Sequence, residues 1–189
     1  NIFVKNILND YTIILFVIAM FAMSYYMLGF EKNKKTDKEE ITRSVAIYTA
    51  AFLFLLYGLG IFIGFVRSPY SHNLLVMLKN ILPVFLLIVS TELLRYNIIK
   101  KSGNTKKVRG MSIVLTTLID MATVAGLYNL HKFEGIEEMV MSVIIPMSSK
   151  NTMLTKFSSN YGYETCIIYS LIMSLYVYIL PIQPNLNIY

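Results

Sequence analysis

Hydrophobic positions along this chain come in long blocks rather than in the stripes of a surface helix or the alternation of a strand. The first block, residues 11–30 (YTIILFVIAMFAMSYYMLGF), contains no charge, and blocks of similar length and apolarity follow at 44–66, 74–96, 111–130 and 163–181. A bilayer core of about 30 Å needs about 20 apolar residues at 1.5 Å per residue, so each block is long enough to cross once. The pattern predicts an all-α, polytopic helical transmembrane protein of five to six spans, forming a single multi-span domain over residues 1–189. A weaker stretch, 135–158, carries Pro146 and is read as re-entrant, interfacial or an irregular sixth span.

Composition agrees. Hydrophobic residues make up 56% of the chain and charged residues 15%, too little polar surface to solvate a soluble globule of 189 residues. The lipid bilayer is therefore the expected partner. The one cysteine, Cys166, excludes an internal disulfide and a multi-cysteine metal site. Net charge is +6, but the basic residues sit in short loops between apolar blocks, so nucleic acid is not expected as a partner. Oligomeric state is not readable from the sequence.

Charge placement orients the chain. The first loop, 31–43, holds Lys32, Lys34, Lys35, Lys38 and Arg43, and the loop at 100–110 holds Lys100, Lys101, Lys106, Lys107 and Arg109. The loop between them carries Arg67 alone. Lys and Arg are retained on the cytoplasmic side, so both rich loops are placed inside a bacterial cell membrane, with residues 67–73 and the N-terminus outside. Tyrosines near the block ends stand in for the missing tryptophan as interfacial anchors. The first residue is Asn1 and the chain stops at Tyr189 after a proline-rich turn, a pattern read as a fragment of a longer protein; no cleavable signal is evident.

Few polar residues interrupt the blocks. Asp120 falls near the middle of the fourth, where an unpaired carboxylate costs about 2.5 to 3.5 kcal/mol. It is read either as a proton, ion or catalytic site, or as a structural hydrogen-bonding group; lacking a second mid-membrane ionisable residue, the structural reading is favoured. Glu92 and Arg95 in STELLRY are three apart on one helix face and are read as an interfacial ion pair near the cytoplasmic end of the third span. His72, beside Ser68 and Ser71, lacks an oxyanion-forming glycine turn and is read as a solvated loop residue. His131 with Glu134, Glu137 and Glu138 lacks HExxH spacing and is read as a solvated helix start. No catalytic residue, cofactor site or metal site is assigned.

Two resemblances bear on function. The pair in EEMVMS, Glu137 and Glu138, is similar to the EExxxR helix of CAAX-type intramembrane proteases, but its arginine and any later histidine are missing. A degenerate scaffold of that type is one alternative. The stretch 153–186 (MLTKFSSNYGYETCIIYSLIMSLYVYILPIQPNL) resembles more specifically the N-terminal membrane region of Firmicutes proteins of the signal peptidase I group. MLTKF, YGY, CIIYSLIMSLYVYILPI and PNL stand in the places of that group's segments, and STELLRY with its basic loop is also similar. Ser170 and Ser174 replace the usual Arg and Glu of the helix. The resemblance implies a serine peptidase domain further along the chain, outside the cytoplasm, that processes the signal peptides of exported preproteins. That group's Ser-Met-x-Pro segment is absent, so the chain is expected to anchor or scaffold such a domain rather than to hydrolyse peptides itself. A small transporter or permease subunit using Asp120 is the remaining alternative.

Overall fold

The computed structural model describes residues 2–31, 38–124, 128 and 133–185. The chain is mostly helical: α1 (Ile2–Leu28), α2 (Lys38–Ile63), α3 (Leu74–Lys101), α4 (Lys106–Val124), α5 (Phe133–Met139), α6 (Ile145–Tyr161) and α7 (Tyr163–Ile179). Two short strands, β1 (Phe65–Arg67) and β2 (Ile182–Pro184), pair antiparallel with Val66 opposite Gln183. Among the described residues, three helical segments are long and apolar enough to cross a membrane: Tyr11–Leu28, Glu39–Ile63 and Leu74–Lys101; Tyr163–Ile179 is apolar but shorter.

Side-chain contacts define the two ends of the bundle. At one end the Tyr96 hydroxyl donates to the Glu31 carbonyl (2.9 Å), and Lys100 and Lys101 lie 3.9 and 3.8 Å from the Glu31 carboxylate. Phe30, Tyr96 and Tyr163 form an aromatic cluster there with ring centroids 5.2 to 5.9 Å apart. The Thr42 and Thr165 hydroxyls, 2.8 Å apart, bring the starts of α2 and α7 to the same end. At the opposite end, β1 leaves α2 and β2 leaves α7, and the ribbon between them ties those helices together. Tyr57 donates to the Ile182 carbonyl (2.7 Å), and the rings of Tyr70 and Tyr178 pack at a tilt of 39° with centroids 4.3 Å apart.

The helix boundaries depart from the sequence reading where local chemistry extends or stops the backbone. α3 continues past residue 96 through Lys100 and Lys101, whose charges oppose the negative helix terminus. The second block stops at Ile63, because Gly64 (φ +87°) turns the chain into β1. α4 begins earlier, at Lys106, and ends at Val124; much of 125–130 lies outside the described residues. The stretch 135–158 belongs to a helical rod in which a π-helical turn, Val140–Ile144, joins α5 to α6. Pro146 sits at the start of α6, immediately after the π-helical turn. Gly162, at φ +100°, reverses the chain between α6 and α7, in a backbone region that only glycine occupies readily.

The interior is more polar than apolar. Val17, Leu94 and Ile119 form a small apolar core between α1, α3 and α4, packed by Phe21, Leu87 and Leu115. Around it are buried Thr91, Glu92, Arg95, Asn97, Ser112, Thr116, Asn151, Thr155, Ser158 and Thr165. The buried face of α6 reads Asn151, Leu154, Thr155, Ser158, spaced i, i+3, i+4, i+7. Small and polar side chains at that spacing let α6 approach α3, α4 and α7 closely.

Candidate functional site

Four helices converge on a charged cluster in the middle of the bundle. α4 supplies Asp120, α6 supplies Lys150 and Asn151, α3 supplies Glu92 and Arg95, and α7 supplies Ser170. Lys150 Nζ lies 2.8 Å from Asp120 Oδ2. Asn151 is fully buried and joins the two halves: its Nδ2 donates to Asp120 Oδ2 (3.0 Å) and to Thr117 Oγ1 (3.2 Å), and its Oδ1 accepts from Arg95 Nη2 (2.5 Å). The same Arg95 nitrogen is 3.5 Å from Glu92 Oε1. Ser170, on α7, lines the same space as Glu92.

The Glu92 and Arg95 pair is enclosed by neighbouring helices, the residues being 4% and 1% exposed. Glu92 lies nine residues before the end of α3, about 13 Å at 1.5 Å per residue. Asp120 has an ionisable neighbour after all, Lys150, contributed by a helix too polar to stand out as a span. The signal for Asn151 was the four-residue face of α6, legible only once 145–161 is known to be helical.

Above this cluster, toward the ribbon, lies a cavity of about 440 Å³. Its walls are apolar, including Val84, Leu87, Met147, Met173 and Val177, and Tyr70 and Tyr178 stand at its ribbon end. Its floor is polar: Thr91, Glu92, Asp120, Lys150, Asn151 and Ser170, with Ser174 on the wall. Glu92 Oε2 and Thr91 Oγ1 are buried and have no hydrogen-bond partner among the described residues. Ser170 and Ser174 both line this space.

The remaining candidates lie elsewhere. His72 is exposed in the loop before α3. Ser68 is engaged in the ribbon, its hydroxyl donating to the Val177 carbonyl (3.2 Å) and its N–H to the Pro181 carbonyl (2.9 Å). Glu137 and Glu138 are exposed on α5. His131 and the side chain of Glu134 lie outside the described residues. Among the described residues no three His, Cys, Asp or Glu side chains converge as metal ligands. Cys166 is fully buried, its thiol against the Leu154 carbonyl (3.2 Å). Compared with protein-family models, with curated proteins and with solved structures, the chain matches none.

Proposed function

We propose that the chain is a multi-pass bacterial membrane domain, crossing five to six times, that anchors a signal peptidase-like serine peptidase domain and presents exported preproteins to it. The membrane reading rests on an inverted distribution of side chains. The interior holds Glu92, Arg95, Asn151 and a series of Ser and Thr, while Tyr26 (91% exposed), Phe62 (86%), Phe54 (79%) and Leu75 (77%) point outward. In water such a surface would be an aggregation site; in lipid it is solvated and the polar groups pair inside.

One observation carries the anchoring reading. The resembling block is built into the bundle through α7, and β2 then holds the chain at the ribbon end, opposite Glu31, Lys100 and Lys101. With the basic loops inside, residue 185 is delivered outside, where the implied peptidase domain would work. Determining the reading frame beyond Tyr189 tests this. A downstream outer domain with a Ser-Met-x-Pro serine and a Lys or His partner supports the anchor, and a frame lacking them overturns it.

A second reading, a small transporter using Asp120, is favoured by the position of Asp120 and Lys150 on the cavity floor. It requires pH-dependent transport that Asp120→Asn abolishes.

A further inference from the structure

We infer that the outer face of α4, with the basic turn that precedes it, is a binding site for an anionic phospholipid, whose phosphate meets Lys106 and Lys107 while an acyl chain lies along Met111, Val114 and Leu118. The inference rests on the membrane reading above, but neither on the orientation of the chain nor on a downstream peptidase.

The turn gathers the charge. Gly103 (φ +82°) and Asn104 (φ +51°) reverse the chain where α3 ends, and the Asn104 N–H donates to the Ile99 carbonyl (3.0 Å). Lys100 and Lys101 on α3 thereby come to the same end of the bundle as Lys106, Lys107 and Arg109 on α4. Glu31 lies near Lys100 and Lys101, whereas Lys106, Lys107 and Arg109 pair with no carboxylate among the described residues. Glu39 and Glu40, at the start of α2, belong to a helix that packs on α7, while α4 packs on α6, α3 and α1. The cluster therefore holds surplus positive charge and selects an anion.

Beside the charge, the helical period supplies a seat for hydrocarbon. Lys107, Met111, Val114 and Leu118 stand at i, i+4, i+7 and i+11, one face of α4. Met111, Val114 and Leu118 are 74%, 59% and 55% exposed. From Lys107 to Leu118 the face runs about 16 Å, close to one leaflet of a core about 30 Å thick. Depth agrees with this reading: Lys100 follows Tyr96 by one turn, about 6 Å beyond the ring cluster of Phe30, Tyr96 and Tyr163. Interfacial rings mark the headgroup boundary, so phosphates lie at the level of the lysines. A free phosphate or an acidic protein segment would use the charge and leave the apolar stripe bare; a neutral lipid would do the reverse. An anionic phospholipid uses both.

The chain contains no tryptophan, so Val114→Trp gives a single fluorescent reporter on the stripe, and Met111→Trp serves if that variant fails to fold. The whole chain is placed in nanodiscs of phosphatidylcholine and phosphatidylglycerol, with brominated acyl chains on one lipid or the other as quenchers. Phosphatidylglycerol is expected to be preferred at the reporter at least about tenfold, within what two basic residues supply at about fivefold each. Lys106→Gln combined with Lys107→Gln should lower the preference at least about fivefold while helical circular dichroism is retained. Salt at about 1 M, where the screening length falls to about 3 Å, should lower it as well. A reporter at Leu55→Trp, outward on α2 and about 25 Å along it from its start, should be quenched equally by the two lipids. Equal quenching at position 114, an unchanged preference in the double variant, or the same preference at position 55 would each overturn the inference. So would a reporter quenched by neither lipid, because a second copy or a partner helix would then cover the face. A chain that does not enter nanodiscs would remove the membrane reading itself; one that enters and shows no preference would remove this site alone.

Discussion

Arg95 is the residue on which the buried cluster turns. It is 1% exposed, it reaches Asn151 on α6 and Glu92 on its own helix, and its Nε and Nη1 have no partner among the described residues. Removing one member of a buried ion pair strands the other, a loss of about 3 to 5 kcal/mol, whereas removing both can be close to neutral. Arg95→Met is therefore expected to destabilise the bundle by about that amount, read as the shift in an SDS-induced unfolding curve in mixed micelles. Adding Glu92→Gln should recover at least about 1 kcal/mol of it, a coupling within the usual range for residues in contact. If the double variant is less stable than Arg95→Met alone, Glu92 and Arg95 are not acting as a pair. The Asp120 and Lys150 pair differs in being partly open, its side chains 20% and 38% exposed.

At the scale of elements, the apolar blocks of α1, α2, α3 and α7 were legible because each is continuous and bounded by charge or proline. α6 was not. Its only face of note mixes Asn151, Thr155 and Ser158 with Leu154, a pattern that reads as a solvated helix unless the surroundings are known to be apolar. The candidate site was accordingly half visible: Glu92, Arg95 and Asp120 stood out as charges within apolar runs, while Lys150 and Asn151, which join them, lay in the polar segment. The placement of α6 depends on the turn at Gly162. At φ +100° and ψ −177° that residue occupies a region costing other residues about 1 to 3 kcal/mol. Gly162→Ala is expected to lower stability by that amount and to loosen the contact between α6 and α7. The accompanying readout is reactivity of Cys166, which lies between them against the Leu154 carbonyl and should react faster with a small thiol reagent in the variant. An unchanged melting curve and unchanged Cys166 reactivity would show that the turn tolerates a side chain.

At the scale of the whole molecule, two independent features define the same polarity. Charge counting groups the loops 31–43 and 100–110 on one side, and the structure brings Glu31, Lys100 and Lys101 together at one end, with the ribbon at the other. Spatial proximity does not by itself say which end faces the cytoplasm; the proposed orientation takes the lysine-rich end as the inner one. Labelling can separate these statements. With Cys166 replaced by Ala, Ser71→Cys, exposed in the loop before α3, is expected to react with a membrane-impermeant maleimide on intact cells. Asn104→Cys, exposed in the loop between α3 and α4, should react only after the membrane is opened. The reverse pattern would keep the bundle but invert it, putting the ribbon and residue 185 in the cytoplasm and removing the geometric basis for an outer peptidase domain. Labelling of both positions on intact cells would break the link between fold and bilayer, because α3, at 28 residues and about 42 Å long, separates them by more than the hydrocarbon thickness.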